Sequence, residues 1–547
     1  MKFSASHSRD ERSNYAHSAV AGNASRKACG ELKNTHRMED QSEVEEFLAS
    51  TAFCQPWGSD VERIDTHAAV VFLVGDRAYK IKRAVKYPYL DFSTLPRRHA
   101  ACLHELEVNR RTAPALYLGV WAIRRRANGQ LYIDRGDADQ DPSAVVEWVI
   151  EMIRFDREKM LDRMVARHEL NDALLKDLAE AIAAFHGSVD PLATGFDNAK
   201  SFRAIIHGND LAFDEYQSLF PREQSLDLTA KSLAVVEAHA SLFAERQERG
   251  KVRHCHGDLH LANIVIIDQK PVLFDAIEFD DRIATVDVFY DLAFLIMDLW
   301  ERGCRREANV VFNRYLAITG DYSALPLLPL FLSVRASVRA KVSAAQGRSE
   351  EATTYFCHAV RFLTRVQPTC IAVGGLSGSG KSCLARALAP ELGAAPGAIH
   401  LNSDVIRKEL IGVAETQRLP RSAYSEWASA QVYEVLEKRA RDILKLGCSV
   451  VVDAVFSVQA KRRSFETVAS DMSIRPWCFW LSAPGDVLKS RVAVRRNDVS
   501  DATQKIVELQ LGYNLGEVSW QRIESNAEPD ILARRILDSV RNDHCGA

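Results

Sequence analysis

The sequence predicts two globular domains of different class, an α+β domain followed by an α/β domain with a parallel sheet. Three observations predict this. The chain has 547 residues, too many for one ordinary hydrophobic core, and the usual domain size gives two or three units, two being the working count. Before about residue 345 a strand-rich start gives way to apolar residues at helical spacing. Beyond Pro368 short apolar strands and helices alternate, as they do in a parallel sheet covered on both faces.

Residues 1–40 are rich in Ser, Asn, His and charge without sustained apolar periodicity, and are expected to be a disordered extension. The character changes at Met38, a candidate initiator from which an amphipathic helix starts. Asp10, Glu11 and Glu31 argue against a transit peptide. The first domain is expected over 41–345. In it, the β-prone run from Val70 turns at Gly75-Asp76 and returns through Arg77-Ala-Tyr-Lys80-Ile-Lys82, a hairpin signal. A helix carrying Glu105 follows, then helical periodicity from about Asn171 to Phe243, then β segments around His256 to Ile266 and Pro271 to Asp275.

A polar, helical connector is expected over 346–368, ending where Gln367-Pro368 disfavours further helix. The second domain, 369–547, alternates strands at Ile371–Gly374, Ala398–Ser403, Cys448–Asp453 and Trp477–Ser482 with helices, the later ones at about Ser425–Leu446, Val458–Ser470 and Gly485–Arg496. In such folds ligands sit at the carboxyl ends of the strands.

Composition narrows the class. With 47% hydrophobic and 26% charged residues the chain is neither fibrous nor largely disordered. A net charge of -3 gives no global attraction to nucleic acid or anionic membrane, although a local basic groove stays open for the second domain. The 11 cysteines are scattered, with no Cys-x-x-Cys and no metal-ligand grouping, which suits a reducing compartment. No apolar run approaches the ~20 residues of a membrane span, and the start lacks a signal-peptide core. A cytoplasmic protein is expected.

The strongest chemical motif is Gly375-Leu-Ser377-Gly378-Ser379-Gly380-Lys381-Ser382, a G-x-x-x-x-G-K-[ST] match between an apolar strand and a helix. There, loop N–H groups and the helix N-terminus converge on phosphate oxygens. Lys381 would bridge the β- and γ-phosphates of ATP, and the Ser382 hydroxyl would ligate Mg²⁺. Asp453 ends the run Ser449-Val-Val-Val, where a carboxylate would meet the metal or its water. Asp404 and Arg407 project from the end of another strand into a helix start, where a plain N-cap would explain Asp404 equally simply.

On these residues, together with Arg491-Val-Ala-Val-Arg495-Arg-Asn-Asp-Val-Ser500-Asp501-Ala502, the stretch 370–510 resembles the small P-loop kinases that include gluconate kinase, the polynucleotide 5′-kinase module and zeta toxins. The resemblance implies that Asp404 activates the acceptor hydroxyl, that Arg407 holds the acceptor, and that lid arginines meet the transferring phosphoryl group. Arg491 and Arg495, four apart on one helix face, are the candidates; Arg496 is the lesser one, and a solvated charged face accounts for all three almost as well.

The first domain carries a second motif. In His256-Gly-Asp258-Leu-His260-Leu-Ala-Asn263 an aspartate stands five residues before an asparagine, the spacing of a phosphotransferase catalytic loop whose Asp accepts the hydroxyl proton and whose Asn binds Mg²⁺. Asp275 ends the next apolar strand, where a metal-binding aspartate belongs. Lys80 could hold phosphate with Glu105 as its partner, Lys82 and Glu107 being the respective competitors. The loop resembles that of the aminoglycoside phosphotransferase and choline kinase group, of the protein-kinase-like fold, over about 50–345. The resemblance implies Asp258 as base, Asn263 and Asp275 as metal ligands, and Asp287 and Asp291 as supports. Two departures stand out: no Gly-rich loop precedes Val70, and Ala-Ile-Glu follows Asp275 in place of Phe-Gly.

The expected protein is therefore an ATP- and Mg²⁺-dependent kinase with two sites, each transferring the γ-phosphoryl group to a hydroxyl of a small molecule such as a sugar, a polyol or an aminocyclitol. Two alternatives accompany it. The first domain could be a nucleotide or ligand sensor gating a single P-loop kinase, or the second could be a nucleic-acid 5′-hydroxyl kinase.

Overall fold

The computed structural model describes residues 39–54, 60–87, 90–136, 145–192, 197–494 and 499–545. The expected N-terminal extension up to Met38 lies outside the described residues.

The first unit begins with the helix Ser42–Ala49 and a six-stranded antiparallel sheet. Its strands are β1 (Glu62–Asp65), β2 (Ala69–Val74) and β3 (Arg77–Lys82), then, beyond the small hairpin β4 (Lys86–Tyr87) and β5 (Leu90–Asp91), β6 (Tyr117–Arg125), β7 (Leu131–Asp134) and β8 (Val145–Ile153). The order is β1-β2-β3-β8-β6-β7. Alternation along β2 and β3 sets the two faces. Val70, Phe72, Val74, Tyr79 and Ile81 pack with Val44 and Leu48 of the first helix. Leu73 and Ala78 face the other way, onto a core that includes Cys102 of the helix Leu95–Arg110. The predicted hairpin forms around Gly75, whose φ of +55° suits a residue without a Cβ.

The rest of this unit is mainly helical. Small ladders carry the loop motifs: β9 (Val252–His254) pairs with β12 (Thr285–Asp287), and β10 (Ile264–Ile267) with β11 (Lys270–Leu273). The helix Val288–Glu301 is buried from Val288 through Trp300. Asp287 caps its N-terminus, accepting from Phe289 N at 2.8 Å, and is itself held by the buried Arg246 guanidinium through two 2.7 Å bonds.

The second unit is built on a five-stranded parallel sheet: β13 (Cys370–Gly375), β14 (Ile399–Asn402), β15 (Val450–Asp453), β16 (Trp477–Ser482) and β17 (Gln521–Glu524), in the order β14-β15-β13-β16-β17. The central β13 is buried along its whole length, as its apolar run requires. On one face Leu384 and Leu388 of the helix Lys381–Leu388 and Leu532, Ile536 and Val540 of the helix Pro529–Cys545 pack on Ile371, Val373, Val451 and Phe479.

The compact units divide elsewhere than at the expected 345/346–368 boundary. One comprises the chain up to Arg302 with Leu330–Leu363, the other Gly303–Pro329 with Thr364–Ala547. Side-chain bonding gives the reason. From the helix Arg305–Thr319, Asn309 Nδ2 donates to Pro396 O and Ala398 O, both at 3.0 Å, and Asn313 Oδ1 accepts from His400 N at 2.7 Å, which fastens that helix to the start of β14. The expected helical connector forms the helix Ser349–Phe362, but its Phe356 packs edge-on against Phe213 and tilted against Phe220, ring centroids 5.2 Å apart in each case, inside the first unit. Among the described residues no helix is long and apolar enough to cross a membrane.

Candidate functional site

In the second unit the glycines of the loop after β13 have a steric cause. Gly375, Gly378 and Gly380 adopt φ values of +142°, +84° and +91°. A Cβ at Gly375 would lie 2.5 Å from Leu481 O, and one at Gly378 2.5 Å from Leu488 O. The loop therefore closes as a cradle only without side chains there. Gln510 braces it, its Oε1 accepting from Ser377 N at 2.8 Å. The Ser379 hydroxyl is buried with no hydrogen-bond partner among the described residues, and Lys381 Nζ folds back to donate to Leu376 O at 3.0 Å.

Asp453 and Ser382 meet as the sequence predicts: Ser382 Oγ donates to Asp453 Oδ2 at 2.5 Å. Two further residues join them. Asn402 Nδ2 donates to both Asp453 oxygens at 3.0 Å and lies 3.2 Å from Ser382 Oγ, and His400 Nε2 is 2.6 Å from Asp453 Oδ1. Burial alone would raise the Asp453 carboxyl, but the His400 and Lys381 charges and the bonds from His400 and Ser382 hold it below its usual value. Sequence reasoning passed over both residues. The signal was present, because two polar residues two apart at the end of a strand share a face.

Asn402 also decides the role of Asp404. It is Asn402 that caps the helix Ser403–Ile411, accepting from Asp404 N at 2.8 Å and Val405 N at 3.0 Å, so the Asp404 carboxyl is not used as the cap. Burial raises that carboxyl, against a hydrogen bond from Ser500 and the charges of Arg407 and Lys381. A carboxylate so placed is suited to take a proton. Arg407 is buried, donates to Ala423 O at 2.8 Å, lies over the Tyr424 ring 4.7 Å from its centroid, and leaves Nε without a hydrogen-bond partner among the described residues. Arg491 grips Ser525, donating to its Oγ at 2.8 Å and its carbonyl at 2.9 Å. Ser525 in turn flanks the loop, 3.4 Å from where a Cβ on Gly380 would stand. Arg495 lies outside the described residues.

In the first unit three distant segments converge. Lys80 Nζ is 2.7 Å from Glu105 Oε1 and 2.7 Å from Asp275 Oδ1. Burial opposes its charge, but Asp275 and Glu105 outweigh burial and raise the ammonium well above its usual value, while Lys80 lowers Asp275. Lys82, the competitor, is drawn into the same cluster, paired with Glu105 and with Glu278 of the Ala-Ile-Glu departure. Glu107 is outside it, 80% exposed and beside His104. Where a Gly-rich loop was missing, the tight β1–β2 turn presents His67; burial and the nearby Lys82 ammonium push it down to about 4.

The catalytic-loop residues are also joined. Asn263 Nδ2 donates to Asp258 O and Oδ2, both at 3.0 Å. Asp291 accepts from the backbone N of His256 at 3.2 Å and of Gly257 at 2.9 Å, and Asp298 from Leu261 N at 2.9 Å, so buried carboxylates fix the loop backbone from below. Asp291 and Asp298 thus hold the loop backbone, whereas Asp287 bonds Phe289 N and the Arg246 guanidinium.

Both donor sets fit a hard divalent cation. Ser382 Oγ and the Asp453 carboxylate are all oxygen. In the first unit the Asn263 amide donates its nitrogen to Asp258, which leaves its oxygen as the cation-binding atom, and Asp275, paired with Lys80, offers a carboxylate.

Fold and site together define a phosphotransferase of two domains, one protein-kinase-like and one built on a phosphate-binding loop. The comparisons agree. Residues 71–328 match the family model described as the phosphotransferase enzyme family, and residues 371–513 match one described as a AAA domain. The chain thus joins an aminoglycoside phosphotransferase-like domain to a P-loop domain. An uncharacterized protein of Mycobacterium tuberculosis is 29% identical over 456 residues, covering 81% of this chain and 88% of its own length. Among solved structures, a choline/ethanolamine kinase family protein from Mesorhizobium loti is 13% identical, over 58% of this chain and 92% of its own (TM-score 0.37). A gluconokinase from Sinorhizobium meliloti 1021 is 20% identical, over 33% of this chain and 99% of its own (TM-score 0.23).

Proposed function

We propose that the chain is an ATP-dependent kinase with two catalytic sites, each moving the γ-phosphoryl group of ATP to a hydroxyl of a small molecule in the cytoplasm. The observation that carries the two-site reading is the Lys80 ammonium held between Glu105 and Asp275, because it assembles a phosphate-holding cation and a metal-ligating carboxylate in the domain that could otherwise be only a sensor. In the first site Asp258 accepts the acceptor proton, and Asn263 positions that carboxylate. In the second, Asp404 accepts the proton, Arg407 orients the acceptor, and Lys381 with Arg491 and Arg495 offsets charge on the phosphoryl group. Mg²⁺, held by Asn263 and Asp275 in one site and by Ser382 and Asp453 in the other, supplies positive charge to the phosphate oxygens.

The test is a panel of hydroxyl metabolites assayed for γ-phosphate transfer with wild type, Asp258→Asn and Asp404→Asn. Each substitution is expected to abolish transfer to a different acceptor. Loss of all ATP turnover with Asp404→Asn, and none with Asp258→Asn, would make the first domain a sensor. No transfer by wild type to any acceptor would refute the proposal.

A further inference from the structure

A cavity of about 270 Å³ opens in the first unit beside the catalytic loop, with His260 and Ala262 forming one wall. His260 Nε2 lies 3.3 Å from Asp258 Oδ2, so this wall adjoins the base. The other walls come from four helices and are nearly all charged. Every arginine there already has a carboxylate: Arg302 Nε is 3.1 Å from Asp298, Arg339 is 3.3 Å from Glu351, and Arg348 is 2.6 Å from the other Glu351 oxygen. Two further carboxylates stand in the lining without a bonded cation among the described residues: Asp162 accepts from Arg163 N, and Glu301 makes no hydrogen bond or ion pair there, although the Arg302 and Arg339 charges act on it. Burial and the neighbouring Asp298 raise the Glu301 carboxyl.

This lining selects by chemistry. A quaternary ammonium needs open aromatic faces, but of the two rings here Tyr355 already carries the Arg339 guanidinium 5.4 Å from its centroid, and His260 packs on Phe294 with centroids 5.3 Å apart. A phosphorylated or carboxylated acceptor would meet four carboxylates, Asp162, Asp298, Glu301 and Glu351, against three guanidiniums, Arg302, Arg339 and Arg348. A multi-ring antibiotic exceeds the space, which falls below the ~300 Å³ at which sites for drug-sized ligands begin. What fits is a small molecule whose every polar group both donates to a carboxylate and accepts from a guanidinium.

We infer that the acceptor of the first site is a neutral polyol of monosaccharide or cyclitol size, with Glu301 and Asp162 as its specificity-determining hydrogen-bond acceptors. The inference rests on the reading of this domain as an active kinase. One acceptor hydroxyl gives its proton to Asp258, its oxygen forms a bond to the γ-phosphorus, and the bond from that phosphorus to the β–γ bridging oxygen breaks. ADP leaves with that electron pair.

The experiment uses the full chain carrying Lys381→Ala, which silences the second site, with γ-labelled ATP and a panel of neutral hexoses, pentoses and cyclitols set against choline, an aminoglycoside and a hexose monophosphate. The expected result is transfer to a neutral polyol that Asp258→Asn abolishes. Glu301→Gln should then raise KM for that acceptor about tenfold while kcat stays within about twofold, a split that a folding defect would not produce. Faster transfer to choline, the aminoglycoside or the sugar phosphate would overturn the acceptor class and leave the kinase reading standing. Absence of transfer to every acceptor would overturn the inference. ATP binding measured by calorimetry on the same protein then separates the two failures, since binding lost with Lys80→Ala keeps the site a nucleotide site, and no binding at all refutes the kinase reading too.

Discussion

Asn402 has two jobs that substitutions can separate. Its Oδ1 caps the helix that carries Asp404 and Arg407, and its Nδ2 donates to the Asp453 carboxylate. Asn402→Ala removes both; Asn402→Ser keeps a capping oxygen on a side chain with no amide to reach Asp453. Loss of the cap costs about 1 kcal/mol, which for a unit of this size lowers the thermal midpoint by about 2–4 °C. Loss of one donor to a charged carboxylate costs about 1.5 kcal/mol, or about tenfold in rate if the bond holds Asp453 in its working position. In the Asp258→Asn background, both variants should therefore turn over ATP about tenfold more slowly than their parent, and both should lower the midpoint in scanning calorimetry, Ala by about 2–4 °C more than Ser. Wild-type turnover by Asn402→Ser would refute the role assigned to the amide, and equal midpoints for the two variants would refute the cap.

Asp404→Asn should abolish turnover at the second site yet stabilise the fold at neutral pH. A carboxyl raised in the folded state favours the protonated form, so its contribution to stability is present below the usual aspartate value of about 3.9 and lost as pH rises through the folded value; the gain from Asn should accordingly shrink to nothing as thermal midpoints are followed down to about pH 4. Lys82→Met should destabilise the first unit by about 3–5 kcal/mol in denaturant titrations, because it strands Glu278 and part of Glu105 in a buried site, whereas Lys80→Met should chiefly weaken ATP binding. Gly378→Ala should cost about 1–3 kcal/mol and lower ATP affinity at the second site, since its Cβ meets the Leu488 carbonyl and its φ is that of glycine.

The chemistry that lies contiguous in the chain was legible from the sequence. The loop Gly375 to Ser382 could be read because strand, glycines, lysine and helix follow one another, and the structure adds only the reason each glycine is glycine. The same holds for Asp258 and Asn263, five residues apart and hydrogen-bonded, and for Asp453, which ends its strand as expected. The helices and strands expected in the second unit up to Arg496 likewise begin and end within a few residues of where their periodicity put them; beyond it the helices Gln504–Leu511 and Pro529–Cys545 and β17 (Gln521–Glu524), the last short and polar, were not anticipated.

What the sequence by itself determined, then, was two phosphate-handling motifs and the class of domain around each, because turn chemistry, strand ends and helical spacing are local properties. Sheet order and helix packing decided the rest. Asn402 and His400 matter only because β14 lies in parallel register beside β15, with Asn402 opposite Asp453, 51 residues away. Lys82 joins Glu278 across 196 residues, and the helix Arg305–Thr319 belongs with the second unit through its asparagines. The cavity beside His260 exists only where helices from Leu161 to Phe362 close around the loop. Each of these depends on which distant segments become neighbours, a choice made by the burial of whole apolar faces, of which the chain in sequence order shows only the separate pieces.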